Sequence, residues 1–213
     1  MNTASEPIKS ASRGITGFEG INRYWDPKRQ AFSAKLLPGE YYVTSSGEII
    51  TTVLGSCVAA CVRDRALGIG GMNHFMLPIY AHFGIWENTD HNLATRYGTF
   101  AMEHLINAIM KQGGQRKNFE VKLFGGGSVL NTLMDVGDRN IQFVKDYVRT
   151  EGLDVVSEDL AGPYPRKVIY SPSTGRALVK KLRLLHNDTI ARSEQRYSHV
   201  LDEQPIKGDV DLF

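Results

Sequence analysis

The chain has 213 residues, which is enough for one domain with its own hydrophobic core and additional terminal segments. Hydrophobic residues make up 42% of it and charged residues 23%, and the net charge of +2 gives no general attraction to nucleic acid. The two cysteines fit a reducing compartment, no apolar run approaches the about 18 residues of a membrane helix, and the N-terminus lacks the apolar stretch of an export signal. We therefore expect a cytoplasmic protein without membrane insertion.

The first 40 residues are expected to extend the domain without forming one of their own. Residues 1–20 are polar and have no hydrophobic periodicity, so we expect them to be disordered or loosely attached. Residues 21–40 include Tyr24, Trp25 and Leu36, which favours packing on the domain, although a docking segment for a partner fits the same residues. We place an N-terminal extension at 1–39, the main domain at 40–185 and a polar C-terminal tail at 186–213.

Four short strands are predicted next, at residues 40–45, 48–53, 57–63 and 69–77. The last two flank a polar loop that Gly68 closes, which predicts a hairpin. Folding this hairpin about Arg65 and Ala66 places Cys57 opposite His74, with Cβ atoms about 4.5–5.5 Å apart on one face. An adjacent imidazole can take the proton of a thiol and produce a nucleophile. A small core cysteine beside a structural histidine fits the same pattern, and both interpretations stay open.

Cys61 differs from Cys57 although it lies on the same face of the predicted strand. Four residues of extended chain separate the two sulfur atoms by roughly 13 Å, so they cannot form a disulfide. A closed zinc site needs four ligands at short distance, and no second cluster of Cys or His supplies them. We expect Cys61 in the core, and neither a metal nor a cofactor in this protein.

Residues 79–91 are predicted to form a loop that contains His82, Trp86 and His91. A cover over a bound substrate and a solvated connection fit this loop equally well.

The clearest helix follows at residues 92–112, where apolar side chains recur at helical spacing until Gly113 provides a C-cap signal.

A strand at 119–124 leads into Gly125, Gly126 and Gly127. These glycines are not a phosphate-binding loop because no Lys-Ser or Lys-Thr follows them. They allow either a close approach to the active site or a simple turn. A second long helix is predicted at 138–150, a strand at 153–158, and a hairpin from strands 167–170 and 176–182.

The predicted elements indicate an α/β (α+β) fold, a mixed sheet rich in hairpins with two long helices packed on its faces. The tail at 186–213 is polar and has little apolar periodicity, so we expect it to be disordered or partly helical and to contribute no chemistry.

Several strings resemble the signature of the CheD family, the chemoreceptor glutamine deamidases of bacterial chemotaxis. They are GSCV at 55–58, GGMNHFMLP at 70–78, KLFGGG at 122–127 and TGR at 174–176, and the resemblance covers roughly residues 40–183. It implies a layered α/β/α sandwich similar to the catalytic domain of the cytotoxic necrotising toxins. One departure is Ala161, in a string where the family tends to have Asp-Leu-Gly-Gly.

The resemblance also implies a catalytic set of a Thr, a Cys and a His. The Cys and His fall on Cys57 and His74, and the Thr, six positions before the Cys, falls on Thr51, next to Thr52. Backbone N–H groups around Ser56 and Cys57, with Gly55 beside them, are the expected donors to the negative oxygen of the intermediate. A substrate-side loop is expected at Gly125, Gly126, Gly127 and Asn73.

The implied reaction converts specific Gln side chains on the cytoplasmic helices of chemoreceptors (methyl-accepting chemotaxis proteins) to Glu through a Cys thioester, so that they can be methylated. Alternatives are a deamidase or transglutaminase acting on another cytosolic protein, and a non-catalytic or dual-role binding partner of a receptor or of a CheC-type chemotaxis phosphatase. A papain-like peptidase is disfavoured because papain-type strings are absent and the Cys and His are only 17 positions apart.

Overall fold

The structure, a computed structural model, describes residues 17–78, 89–129, 136–182 and 188–203. Within these ranges, ten strands and three α-helices follow one another along the chain. The strands are β1 Asn22–Asp26, β2 Ala31–Lys35, β3 Tyr41–Thr44, β4 Ile49–Leu54, β5 Val58–Asp64, β6 Gly70–Asn73, β7 Phe119–Gly125, β8 Asp154–Leu160, β9 Arg166–Ser171 and β10 Arg176–Lys181. The helices are α1 Thr89–Lys111, α2 Val136–Thr150 and α3 Asp188–Glu203, and a short 3-10 helix spans Arg116–Asn118.

The strands form two mixed five-stranded sheets, in the orders β1-β2-β4-β9-β10 and β3-β6-β5-β7-β8. One pair in each sheet is parallel, β2 with β4 and β7 with β8, and the other pairs are antiparallel. The predicted α+β class is confirmed, but the strands divide into two sheets where one mixed sheet was expected. Helices α1 and α2 lie on the second sheet, and both sheets share one hydrophobic core. The apolar run of β5 is buried on both faces, as expected for a central strand covered on two sides.

The terminal segments contribute more structure than the sequence indicated. β1 and β2 form a hairpin that joins the first sheet through β4, so the part of the N-terminal extension that is described packs on the domain. The predicted polar tail contains α3. Residues 79–88 of the predicted loop, with His82 and Trp86, lie outside the described residues, and His91 falls within α1. None of the helices in the described ranges is both long and apolar enough to cross a membrane.

The central hairpin forms in a register shifted by two residues from the predicted one. Cys61 pairs with Met72, and an isolated bridge joins Val58 to Phe75, so Cys57 is not directly opposite His74. The shift arises at the turn, where the Asp64 carboxylate accepts the N–H groups of Ala66 and Leu67. These two hydrogen bonds centre the loop one residue further along the chain than predicted. Because strand faces alternate with period two, a shift of two keeps Cys57 and His74 on the same face as diagonal neighbours.

Candidate active site

Cys57, His74 and Glu194 meet at the start of β5. The Cys57 sulfur, a His74 ring nitrogen and a Glu194 carboxylate oxygen all lie within 4.8 Å of one another. Cys57 follows the turn between β4 and β5, and His74 directly follows β6, so the two adjacent strands bring thiol and imidazole together. The site is closed, since Cys57 is fully buried and His74 and Glu194 are each only 2% exposed.

The hydroxyl of Thr52 fixes the protonation of the His74 ring. Its oxygen lies 2.8 Å from Nδ1 of His74, and the hydroxyl donates to the Leu36 carbonyl at 2.9 Å. A hydroxyl carries a single proton, so Nδ1–H of His74 donates to Thr52. Nε2 is therefore the unprotonated nitrogen, and this buried atom has no hydrogen-bond partner among the described residues. An imidazole in this form can act as a base toward the Cys57 thiol.

The threonine that contacts His74 is one position beyond the predicted Thr51. Neighbouring residues of a strand point to opposite faces, so only one of the two threonines of β4 can reach the imidazole. The backbone carbonyl of Thr51 accepts the N–H of Leu36 at 2.8 Å. The geometry therefore favours Thr52 as the hydroxyl that orients the imidazole, while the catalytic role of Thr51 stays a prediction.

Three consecutive N–H groups at residues 55–57, here called the Gly-Ser-Cys turn, converge on the Glu194 carboxylate. Gly55 and Cys57 donate to Oε1 at 2.9 and 3.1 Å, and Ser56 donates to Oε2 from its N–H at 2.8 Å and from its hydroxyl at 2.7 Å. Successive N–H groups that point to one side form an anion-binding concavity. The turn predicted to stabilise a negative oxygen is therefore occupied by a carboxylate of the protein itself, with its three N–H groups directed toward it.

Glu194 was missed, because the tail was expected to contribute no chemistry. The signal lies in α3, where Ile190, Glu194, Tyr197 and Leu201 recur at the spacing of one helix face. All four are buried or half-buried, so the acid occupies a position where an apolar residue is the rule. An acid in the apolar stripe of a helix indicates a buried partner, although the sequence does not identify it.

The three glycines at the end of β7, Gly125, Gly126 and Gly127, lie against the Gly-Ser-Cys turn. Gly126 donates to the Cys57 carbonyl at 2.8 Å, and Gly127 donates to the Gly55 carbonyl at 2.7 Å. Gly125 has a φ of +112°, and a Cβ atom there would collide with the Cys57 carbonyl oxygen. Of the two possibilities left open, close approach to the site is the observed one, but these glycines contact the turn that carries Cys57.

Two asparagines support the site from the core side. Asn73, expected on the substrate side, is buried, and its amide accepts the N–H of Ala60 at 2.8 Å and donates to the carbonyl of Ala101 at 3.1 Å. It points away from Cys57 because it neighbours His74 in an extended segment. Asn140 of α2, which the sequence did not indicate, donates to the Ser56 carbonyl at 2.9 Å and is completely buried.

Burial keeps both reactive groups uncharged in this closed arrangement. It raises the pKa of the Cys57 thiol well above its usual range, and the negative charge of Glu194 raises it further. Burial also lowers the pKa of His74 from 6.5 to about 4, against an opposing effect of Glu194. A neutral thiol thus lies beside a neutral imidazole.

Cys57, His74 and Glu194 are also a combination that can hold a metal ion. The Glu194 carboxylate, however, already accepts four hydrogen bonds, which use its four lone-pair sites. The arrangement of donors therefore suits an anion at the Gly-Ser-Cys turn better than a cation.

Comparison with known proteins extends the similarity along nearly the whole chain. A family model described as CheD chemotactic sensory transduction matches residues 76–181. A probable chemoreceptor glutamine deamidase CheD of Halorhodospira halophila is 58% identical over 209 residues, which are 95% of this chain and 97% of that protein. Proteins of the same name from Hahella chejuensis and Thiobacillus denitrificans are 48% and 52% identical, over 100% and 90% of this chain and 100% and 95% of their own lengths.

These matches confirm the family resemblance stated from the sequence. The predicted enzyme class, a glutamine deamidase of bacterial chemotaxis, agrees with the names of these relatives.

Proposed function

Because the chain belongs to the CheD family, we propose that it is a protein-glutamine deamidase that converts Gln side chains of chemoreceptors to Glu. The observation that carries the proposal is the convergence of the Cys57 thiol, the unprotonated Nε2 of His74 and the three N–H donors of the Gly-Ser-Cys turn. These are the nucleophile, the base and the oxyanion donors that acyl transfer from a carboxamide requires.

In the first step, Nε2 of His74 takes the thiol proton and the Cys57 sulfur attacks the carboxamide carbon of the substrate Gln. A C–S bond forms, and the electron pair of the C=O double bond moves to the oxygen. The N–H groups of the Gly-Ser-Cys turn then stabilise this negative oxygen, because they are already oriented toward an anion.

In the second step, the C–N bond breaks and ammonia leaves with the proton from His74, which produces a thioester on Cys57. Water then loses a proton to His74 and attacks the thioester, and the thiolate leaves and recovers that proton. The product is a Glu side chain. Thr52 holds Nδ1–H of His74 throughout, so that Nε2 faces the reacting atoms in both steps.

The names of the relatives supply the substrate class of the proposal, chemoreceptors. A Gln on a receptor's cytoplasmic helix is the specific target that we propose, and a cytoplasmic location of the enzyme is part of the same proposal. A CheC-type phosphatase is a second proposed partner, and co-purification of the two proteins tests it independently of the deamidase activity.

The deamidase proposal is tested by incubating the purified protein with the cytoplasmic fragment of a chemoreceptor and locating Gln-to-Glu conversion by mass spectrometry. Cys57→Ala removes the nucleophile and is expected to abolish conversion. Cys61→Ala is the matched control, since Cys61 is an equally buried cysteine four residues further along, within β5, and is not a member of the cluster of Cys57, His74 and Glu194. It is expected to retain conversion.

Conversion that survives in Cys57→Ala would contradict the proposed nucleophile. If the wild-type protein converts no receptor Gln although it binds the fragment, the deamidase proposal fails and a binding role replaces it.

A further inference from the structure

The Glu194 side chain has the chemical structure of the reaction product. Deamidation of a Gln on a helix leaves a Glu on a helix, and Glu194 is a Glu on α3. Its Oε1 accepts the N–H groups of Gly55 and Cys57, and its Oε2 accepts the N–H and the hydroxyl of Ser56. These are the donors assigned above to the oxyanion, so α3 presents a carboxylate where the reacting group of a substrate has to lie.

The helix is seated around that carboxylate by specific contacts. The Tyr197 hydroxyl bonds that of Tyr97 on α1, and its ring lies where any side chain on Gly39 would be. A Cβ atom on Gly55 would lie 2.7 Å from Oε2 of Glu194, so this glycine makes room for the carboxylate. Ser198 and Leu201 complete the buried face of α3. The surface under α3 therefore fits a helix that points an acid or an amide at Cys57.

The closure conflicts with the proposed activity unless α3 moves. Cys57 is fully buried and His74 is 2% exposed, yet the substrate is a side chain of another protein. The carboxylate that holds the three N–H donors competes directly with a substrate carboxamide. The substrate and α3 cannot occupy this surface together.

We propose that the surface under α3 is the docking groove for the substrate helix, and that α3 occupies it as a built-in product mimic which the substrate helix must displace. The partner is thus an α-helix with a Gln at the position of Glu194. This inference rests on the proposed deamidase function, and it adds the binding mode of the substrate and the state of the free enzyme.

The first test turns α3 into a substrate. In Glu194→Gln, the side chain at position 194 is a carboxamide on the oxyanion donors, and we expect the protein to deamidate itself. The C–N bond of that Gln breaks, ammonia leaves, Cys57 holds a thioester, and water releases Glu at position 194. Mass spectrometry of the purified variant is expected to find Glu there, or a thioester that has lost ammonia, whereas the double variant with Cys57→Ala retains Gln.

Gln195 is an internal control for this test. It is the next residue of α3 and is exposed, so it faces away from Cys57. Fragment ions that separate positions 194 and 195 are expected to show conversion at 194 alone. Equal conversion at both positions would indicate chemical deamidation and would overturn the inference.

The second test removes the carboxylate with Glu194→Ala. If α3 occupies the groove in about 90–99% of molecules, its release raises kcat/KM for the receptor fragment by about 10- to 100-fold. Alkylation of Cys57 by iodoacetamide is expected to accelerate as well, while that of Cys61 stays slow. Alkylation reports the opening of the groove without any need for deamidase activity.

The outcomes separate the two proposals. One set of results would overturn the docking groove and leave the deamidase in place. In it, the wild-type protein converts receptor Gln, the Glu194→Gln variant keeps its Gln intact, and Glu194→Ala shows unchanged rates of conversion and alkylation. Faster alkylation of Cys57 in Glu194→Ala without conversion of any Gln would refute the deamidase, and with it the substrate helix, while α3 would remain a cover over the thiol.

Discussion

Replacing Thr52 with Ala tests whether this threonine positions the catalytic imidazole. The substitution deletes the oxygen that accepts Nδ1–H of His74 at 2.8 Å and donates to the Leu36 carbonyl at 2.9 Å. The imidazole then loses the contact that fixes its tautomer, and the tautomer with the proton on Nε2 cannot accept the thiol proton. Thr51→Ala is the matched control, because it removes the same atoms from the neighbouring position without touching the ring.

The magnitude follows from the burial of this hydrogen bond. A buried donor left without its acceptor costs about 1–3 kcal/mol, and each 1.36 kcal/mol changes a rate about tenfold. We expect kcat of Thr52→Ala to fall by about 10- to 100-fold with KM nearly unchanged, because the Thr52 hydroxyl does not face the substrate. Thr51→Ala should retain kcat within about threefold, since it breaks no hydrogen bond to His74.

The assay is the initial rate of Gln-to-Glu conversion in a receptor fragment, measured by mass spectrometry for both variants and for Thr52→Ser. The serine keeps the hydroxyl and is expected to restore most of kcat, which a merely structural loss of packing would not allow. A larger loss in Thr51→Ala than in Thr52→Ala would refute the assignment and return the orienting role to the threonine inferred from the family pattern.

Three further predictions concern stability and can be measured by urea denaturation. Ala161 has a φ of +61°, a left-handed conformation that costs a non-glycine residue about 1–2 kcal/mol. Ala161→Gly should therefore stabilise the protein by about 0.5–1 kcal/mol after the conformational entropy cost of glycine is subtracted. A loss of stability in this variant would contradict the prediction. Asn140→Ala leaves buried backbone groups unpaired and should destabilise by roughly 2–4 kcal/mol, whereas Gln142→Ala on the exposed side of α2 should stay within about 0.5 kcal/mol. The pKa of His74 falls from 6.5 to about 4 on folding, so below 6.5 the unfolded chain binds a proton that the folded chain does not. The free energy of unfolding should therefore fall by roughly 2 kcal/mol from pH 7 to pH 5, and His74→Gln should flatten this dependence.

Local patterns were sufficient for the central pair of the site. Cys57 directly precedes β5 and His74 directly follows β6, and a five-residue loop joins these two strands, so their proximity depends on one turn and on strand alternation. The predicted register was wrong by two residues, yet the face was right because an even shift preserves it. A shift of one would have separated the thiol from the imidazole.

Contacts between distant elements could not be predicted in this way. The choice between Thr51 and Thr52 depends on which face of β4 meets the end of β6, and these strands belong to different sheets. Glu194 reaches the Gly-Ser-Cys turn across 137 positions of sequence, so the apolar stripe of α3 can indicate that this acid has a buried partner but cannot identify the partner. Asn140 could not be identified from the sequence either, because a single asparagine on a helix is usually exposed.

The contacts of Glu194 also help to keep the Cys57 thiol uncharged in the free enzyme. Burial and the adjacent carboxylate both raise the pKa of Cys57, so the thiol keeps its proton as long as α3 is seated. Departure of α3 removes that negative charge and admits water, and both changes favour the thiolate. A substrate carboxamide that takes the place of Glu194 is neutral, so it does not bring the negative charge back to the site. The substrate therefore meets a Cys57 thiol that Glu194 no longer keeps inactive. Displacement of α3 thus couples binding of the correct helix to activation of Cys57, which protects the thiol from other reagents until a substrate is present.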